Sequence, residues 1–318
     1  LNDKNQLKLG YYTSNDKYKL RSDTLYKYKN AIATAKYNHR YNDRWQSDVS
    51  LSNSFFAYNI SSQENIDKAY FMTHDVLNAG IKSFNEYRKN QEFSVNFGVE
   101  FNWYNVNPGV LEAPDNSTIS PFESLMENAG EFGGFAGIEF PVSPRFKVEG
   151  GVRLAGFLSL DDGRRYIYAE GKPLKVDNII DTITGNKNQI KQTYFSPEIR
   201  FSANYLLGSS SSLKFGYNRT SQFIHILTNS TAISPTDTWK LSDEYLPPQL
   251  GHQFSLGIFK SYNANQYETS VEGFYKNIEN LKEYKPGATL VLNDHIETEI
   301  LNGIGKSYGV EFSLKKHH

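Results

Sequence analysis

Residues 92–103, EFSVNFGVEFNW, contain the most regular pattern in the sequence. Aromatic or branched side chains occupy every second position from Phe93 to Trp103, with polar residues or glycine between them. Successive side chains of a β-strand point to opposite faces, so this alternation predicts a strand with one apolar and one polar face. The same period recurs around 146–154, 193–205, 213–218, 253–258 and 267–276. The sequence therefore predicts an all-β protein.

Working outward from this stretch, we predict about twelve strands. They lie near 6–14, 30–41, 45–58, 78–89, 92–105, 130–141, 145–158, 193–206, 213–224, 251–262, 266–278 and 306–316. Short polar turns alternate with long loops at about 15–28, 60–77, 107–129, 159–192, 225–250 and 279–305. This order predicts an up-and-down antiparallel sheet with short turns at one end and long loops at the other. Because 60–80 shows no clean period, a short helix is an alternative there.

Alternation fits either a transmembrane β-barrel or a soluble β-sandwich. Many predicted strands have roughly eleven to fourteen residues, against about five or six in globular sheets, which is enough to cross a bilayer. Large rings at predicted strand ends resemble an interfacial belt. These rings are Tyr41, Trp45, Trp103, Tyr104, Tyr205 and Tyr262. We therefore favour a transmembrane barrel whose apolar face touches lipid and whose polar face, with Glu100 and Arg153, touches water.

The composition excludes several classes of function. The 318 residues carry a net charge of −1, so no basic field is available for a nucleic-acid partner. The absence of cysteine excludes thiol catalysis and thiolate metal sites. The histidines are scattered without metal-ligand spacing, and neither a catalytic triad nor a complete phosphate-binding loop is present. We expect no catalytic residues, no cofactor and no metal site, and hence no enzyme.

Motifs in the last third of the chain resemble the barrel of TonB-dependent outer-membrane receptors. In order along the chain they are DTW at 237–239, YLPPQ at 245–249, QFSLG at 253–257, VEGFYKN at 271–277 and GKSYGVEF at 305–312. In that family a proline-containing loop leads into a strand with a Ser-Leu-Gly step, then a strand ending in Tyr-Lys-Asn, then a Gly-Lys-Ser-Tyr-Gly-Val-Glu strand. Before residue 193 the likeness rests on the strand and loop pattern alone.

The resemblance implies a barrel of about 22 strands, filled by an N-terminal plug, in the outer membrane of a Gram-negative bacterium. It implies active uptake of a nutrient or metal chelate with energy from TonB, acting through the plug. Outer-membrane lipid and, in some receptors, a surface lipoprotein would be further partners. The sequence shows neither a plug nor a TonB box. We therefore expect residues 1–316 to be part of a larger barrel with long extracellular loops, cut at its start, and 317–318 to be a tag remnant.

Ligand contact is expected from aromatic and basic residues in the long loops. Rings stack on apolar or sugar faces, and guanidinium groups grip anions. The candidates are Arg164, Arg165, Tyr166, Tyr168, Trp239 and Tyr245. For each candidate, packing against a neighbouring loop is the alternative. A passive porin and a soluble β-rich binding or adhesin module are the alternative functions of the whole chain.

Overall fold

The computed structural model describes residues 4–19, 23–90, 92–185, 187–227, 237–263, 265–289 and 292–317. The first eight strands in these ranges are β1 (Asn5–Lys19), β2 (Leu25–Arg40), β3 (Trp45–Ser62), β4 (Tyr70–Arg88), β5 (Ser94–Glu112), β6 (Phe122–Glu123), β7 (Glu127–Ser143) and β8 (Phe146–Leu160). The others are β9 (Arg164–Tyr168), β10 (Ile179–Thr184), β11 (Ile190–Leu206), β12 (Ser211–Gln222), β13 (Ile224–Leu227), β14 (Thr238–Leu241), β15 (Gln249–Tyr262), β16 (Tyr267–Tyr284) and β17 (Ile300–Lys316). Short 3₁₀ helices lie at Ile66–Lys68, Val176–Asn178 and Ile296–Glu299.

In the described part of the chain, no helix has the length and apolar character needed to cross a membrane.

Twelve long strands form one antiparallel meander in the order β1-β2-β3-β4-β5-β7-β8-β11-β12-β15-β16-β17, with β6 added beside β5. This order confirms the predicted up-and-down sheet. Among the described residues, β1 and β17 do not pair, so this twelve-stranded sheet, which we call the wall, is an open part of a barrel. The strands extend further into the long loops than the pattern predicted, and β4 already begins at Tyr70. The short helix considered for 60–80 is a single 3₁₀ turn at Ile66–Lys68.

The two faces of the sheet have the predicted chemistry. On the apolar face, Phe97 and Phe201 are each 40% exposed and Leu256 is 53% exposed. A sandwich would bury these side chains between its sheets, whereas a barrel presents them to lipid. Glu100 and Arg153 lie on the opposite face, which we call the charged face. The exposure of the apolar face confirms the barrel interpretation.

Aromatic side chains collect at the end of the sheet that carries the short turns. The rings of His39 and Tyr41 lie 4.4 Å apart. The rings of Phe146 and Tyr205, on adjacent strands, lie 6.2 Å apart. Amphipathic rings in this position suit a membrane interface. The expectation for Tyr104 was wrong, because β5 continues to Glu112 and the Tyr104 hydroxyl donates to Glu131 on the charged face over 2.9 Å.

The opposite end of the sheet carries the long loops and two small hairpins, β9–β10 and β13–β14. The loop before β14 includes 228–236, which lies outside the described residues. The three buried apolar clusters of the described chain include strand residues from this half of the wall and loop residues packed over them. The buried core therefore lies at this long-loop end of the sheet, which we call the mouth, and not along the rest of the wall.

Candidate functional site

A network of carboxylates surrounds Arg153 on the charged face. The guanidinium of Arg153 donates to Glu100 over 2.6 Å and to Glu131 over 2.7 Å. A carboxylate oxygen of Glu198 lies 3.1 Å from its remaining terminal nitrogen. Gly133 leaves room for this arrangement, since a Cβ there would lie 2.7 Å from Arg153 Nε. The network connects β5, β7, β8 and β11 and gives the wall a hydrated, charged surface.

The β13–β14 hairpin, with Phe223 before it, folds back over this charged face. The ring of Phe223 stacks on Phe157 of β8, with ring centres 4.8 Å apart and planes inclined by 3°. Phe157 lies four positions after Arg153 on the same strand, so both side chains share a face. Leu241 and Val106 of β5 join this core, in which Phe157 and Val106 are 0% exposed. We call residues 223–227 and 237–241 the inner hairpin.

Buried ionic contacts attach the inner hairpin to the wall. Lys240 of β14 pairs with Glu127 at the start of β7. Glu127 also accepts a hydrogen bond from the backbone N–H of Leu241 over 2.8 Å. A carboxylate oxygen of Asp243 lies 3.6 Å from Lys240 Nζ and 3.7 Å from Lys191 Nζ. Charges removed from water need partners of this kind, so separating the hairpin from the wall would leave buried charges unpaired.

The protonation states at the inner hairpin follow from its surroundings. Burial opposes the charge on Asp243, but Lys240, Lys191 and two backbone N–H groups together lower the pKa of that carboxyl. Burial also opposes the charge on Lys240, but its carboxylate neighbours raise the pKa of the ammonium. Burial, with Lys282 nearby, lowers the pKa of His225 to about 3. Asp243 and Lys240 are therefore charged near neutral pH and His225 is neutral, whereas burial raises the pKa of the Glu127 carboxyl despite Lys240 and the Leu241 N–H.

Five of the six predicted ligand-contact residues lie together at the mouth. The members of this mouth cluster are Arg164, Arg165, Tyr166, Tyr168 and Tyr245. The Tyr245 hydroxyl donates to the carbonyl oxygen of Tyr166 over 2.7 Å. The Tyr168 hydroxyl donates to Glu297 over 2.6 Å, and the Tyr168 and Tyr245 rings meet edge to face at 5.2 Å. Desolvation and nearby Glu244 raise the pKa of Tyr245 to about 12, so its hydroxyl is a donor at neutral pH.

The basic members of the mouth cluster are also engaged with acids. Arg165 makes a two-pronged contact with Glu244, one arm of which is 2.8 Å long. Arg164 Nη2 lies 2.8 Å from Asp294, and the guanidinium carbon lies 5.6 Å from the centre of the Tyr166 ring. Arg164 Nε has no hydrogen-bond partner among the described residues. Arg164 and Tyr166 line a cavity of about 70 Å³ that also borders the inner hairpin.

Trp239 does not join the mouth cluster. It lies on β14 and packs against the core of the inner hairpin, with its ring 6.4 Å from Phe56 of β3. Trp239 therefore packs against the wall and not against the other candidates. Ligand contact by all six residues remains a prediction.

Sequence reasoning missed the residues that hold the inner hairpin in place. Glu127, Lys240 and Asp243 are separated along the chain and match no motif. The apolar run at 223–227, FIHIL, was the available signal, because such a run is unusual inside a polar loop. His225 lies in this run; it is 2% exposed, and its Nε2 lies 2.9 Å from Ser242 Oγ.

Within the described ranges, no group of three His, Cys, Asp or Glu side chains is placed to hold a metal ion.

Three solved structures with a similar fold are of proteins named as transporters or receptors. The copper transporter OprC superposes with a TM-score of 0.69 at 11% identity, covering 99% of this chain and 50% of that chain. The ferripyoverdine receptor of the outer membrane of Pseudomonas aeruginosa gives 0.63 at 13% identity, covering 100% and 45%. The ferric yersiniabactin uptake receptor FyuA from Yersinia pestis gives 0.59 at 12% identity, covering 99% and 47%. This chain therefore spans about half the length of these proteins.

A search among curated proteins finds no match to the sequence. The family "TonB dependent receptor-like, beta-barrel" matches residues 2–316, which is nearly the whole chain. The match includes the residues before 193, where the sequence offered only a strand and loop pattern, and it agrees with the open antiparallel wall and the loops packed over its charged face. The chain belongs to the TonB-dependent receptor β-barrel family.

Proposed function

We propose that this chain forms about half the wall of an outer-membrane receptor for active uptake of a nutrient or metal chelate in a Gram-negative bacterium. Energy would come from TonB through a plug domain, neither of which this chain supplies. Members of the family are transport receptors rather than enzymes, so the role proposed is transport.

The exposed apolar face carries this proposal. The outward side chains of β5 are Val95, Phe97, Val99, Phe101 and Trp103, which span nine residues of strand. A strand of about nine to eleven residues crosses the hydrocarbon core at a barrel's tilt. The charged face behind this stretch suits an aqueous lumen. One lipid-facing side and one water-facing side are what an outer-membrane barrel requires.

Ligand capture is proposed for the mouth cluster, and first of all for Arg164 and Tyr166. Both line the cavity beside the inner hairpin, and Arg164 Nε is a buried donor without a partner among the described residues, so a ligand that reaches it would gain a hydrogen bond. A guanidinium next to a ring would hold an anionic or carbonyl-bearing ligand with a flat face. Because Arg164 already pairs with Asp294, such a ligand must compete with that carboxylate.

Uptake assays on the complete protein test this proposal. Cells that express the receptor would be given labelled metal chelates and nutrient oligomers, with and without a protonophore and with and without TonB. We expect one solute to accumulate against its gradient, and that accumulation to require both TonB and the proton gradient. Failure of every solute to show this dependence would contradict the proposal.

A passive porin is the second candidate, because the inner hairpin is the kind of inward-folded segment that constricts a pore. A porin would let solute equilibrate at the same rate with or without the protonophore. Conductance across a planar bilayer gives a further distinction, since a receptor blocked by a plug stays closed whereas a porin conducts.

The mouth residues can be tested in the same assay. Arg164→Ala and Tyr166→Ala should raise KM for uptake with little change in maximal rate, because they remove binding contacts. Arg200→Ala is the matched control, since Arg200 lies on the charged face at Asn218 of β12 and away from the mouth. An equal rise in KM for the control would argue against ligand capture at the mouth.

A further inference from the structure

Four lysines at the loop ends of β1 and β2 project from the apolar face rather than the charged face. They are Lys17, Lys19, Lys27 and Lys29, and all four are exposed. Their alternate neighbours Tyr18, Tyr26 and Tyr28 turn to the other side, where the Tyr18 and Tyr26 rings stack at 4.8 Å. Because side chains alternate along a strand, the lysines must point outward.

The register places like charges against each other. Lys17 lies directly opposite Lys27 across the β1–β2 ladder. Like charges in this position destabilise a sheet unless something neutralises them. Among the described residues, neither Lys17 nor Lys27 has a carboxylate partner, Lys29 lies only over the Phe55 ring, and Lys19 alone pairs with an acid, Glu64.

The same two strands contain a second opposed lysine pair on the charged face. The two pairs can therefore be compared within one protein. Lys8 lies opposite Lys36, and Lys36 Nζ lies 3.0 Å from the carboxylate of Asp48. The inward pair therefore has a protein anion beside it, whereas the outward pair has none in the described chain. Lys27 lies between Lys17 of β1 and Asn59 of β3, so neither neighbouring strand gives it an anion, and an anion from the surroundings of the barrel would fill this place.

The position of the outward lysines identifies those surroundings. Along β1 they follow the apolar outward residues Leu9 and Tyr11, which are 75% and 74% exposed. Along β2 they precede the outward Ala31 and Ala33. The lysines thus begin where the lipid-facing stretch ends, on the side of the long loops. Charged lipid head groups lie at this depth, beside the hydrocarbon.

We propose that Lys17, Lys27 and Lys29 form a docking surface for the phosphate groups of outer-leaflet lipid. This inference rests on the proposed function for the orientation of the barrel, with the long loops outside. Several ammonium groups at fixed spacing on two paired strands hold phosphates without ordering a flexible loop. The lipid anions would also remove the repulsion between Lys17 and Lys27.

Lipid co-isolation from nanodiscs tests the docking surface with the complete protein. The discs would contain phosphatidylcholine and a minor fraction of either diphosphorylated lipid A or its dephosphorylated form, and native mass spectrometry would count the bound lipids. We expect enrichment of the phosphorylated lipid only. The Lys17→Gln/Lys27→Gln/Lys29→Gln variant should reduce this enrichment by about tenfold or more, because it removes three positive charges beside the lipid phosphates.

Two further variants separate charge from folding. Lys17→Arg/Lys27→Arg/Lys29→Arg should keep the enrichment, because it keeps the charges. Lys8→Gln/Lys36→Gln removes the inward pair on the same strands and should also keep it. Equal enrichment of the dephosphorylated lipid, or equal loss in the inward variant, would overturn the inference.

Three more outcomes show which proposal has failed. If inorganic phosphate at the same phosphate concentration displaces the lipid completely, the lysines recognise free phosphate and the lipid surface is the wrong partner. If the protein does not insert into the discs at all, the proposed outer-membrane function fails with it. If the protein inserts and transports but shows no preference for phosphate, only this inference fails.

Discussion

The wall and the mouth of this molecule use the same residue types against opposite surroundings. On the wall, Phe97 is 40% and Leu256 is 53% exposed, so these side chains need lipid to cover them. At the mouth, Phe157 and Val106 are 0% exposed because the inner hairpin covers them. The comparison teaches that the chain buries its own core only where its loops lie, and depends on the bilayer elsewhere.

Removal of the Lys240 ammonium should have the largest effect on the mouth. Lys240→Met leaves Glu127 buried without its partner, which should weaken docking of the inner hairpin by about 3–5 kcal/mol. The chain has no cysteine, so Ala129→Cys on β7 gives a single reporter. Ala129 is 0% exposed and lies in the core that the inner hairpin covers. The reaction of the reporter with a water-soluble maleimide should become much faster in the variant.

Two controls sharpen this result. The double variant Glu127→Gln/Lys240→Met should label more slowly than Lys240→Met alone, because no unpaired buried charge remains. Lys36→Met removes the ammonium group of a lysine whose side chain is 49% exposed. It should change the free energy of hairpin docking, as reported by labelling, by less than about 1 kcal/mol. Equal acceleration by Lys36→Met would show that the buried pair does not fix the hairpin.

Insertion of a charge on the wall should have the next largest effect. Val99→Arg places a guanidinium in the hydrocarbon and should cost about 2–4 kcal/mol, seen as a lower denaturant midpoint for unfolding from lipid vesicles. Val271→Arg on β16 should behave in the same way. Asn96→Arg lies on the same strand as Val99 but on the other face, so its effect should be small. Similar losses at Val99 and Asn96 would contradict the assignment of the two faces.

The wall could be predicted from the sequence because every second residue reports its surroundings. The period in residues 92–103 needs no tertiary information, and it predicted β5 and the orientation of Phe97. The alternation of short turns with long loops predicted the order of the strands. The ends of the strands were less accessible. β5 runs on to Glu112 through Asn107, which was predicted as a loop residue although its backbone continues the ladder.

The mouth could be predicted only in part, because it forms from contacts between distant segments. Aromatic and basic residues in the long loops indicated five residues that do meet. The contact of Lys240 with Glu127 joins positions far apart in sequence, and no local pattern specifies it. Trp239 looked like its neighbours in composition, and only the inward folding of β14 explains why it packs against the wall instead.

Acid should act on the mouth rather than on the apolar wall. His225 has a pKa of about 3 in the docked hairpin and an ordinary value near 6.5 when released. The released form therefore binds more protons between these values, so docking loses stability as the pH falls from about 6.5 towards 3. Labelling of the Ala129→Cys reporter should accelerate over this range.

His225→Gln tests the cause of that acceleration. The variant keeps a polar side chain beside Ser242 but cannot gain a proton, so the part of the pH dependence due to the imidazole should disappear. Lys282 and Asp243 also influence this site, and they remain in the variant. A pH profile unchanged by His225→Gln would assign the effect to those groups instead.

The smallest predicted effect separates the two regions at the level of one hydroxyl. Tyr168→Phe removes the donor to Glu297 within the mouth cluster and should reduce stability by about 1 kcal/mol, because a hydrogen bond to a partly hydrated carboxylate contributes little more. Tyr205→Phe removes a hydroxyl from the ring belt, where Tyr205 is 44% exposed and water or lipid head groups can satisfy it, so its effect should be negligible. Thermal unfolding in vesicles measures both. Because the two changes remove the same atom, a difference between their losses of stability reports the partner that the loops provide. Equal losses would mean that the contact of Tyr168 with Glu297 contributes no more to stability than the bilayer interface does.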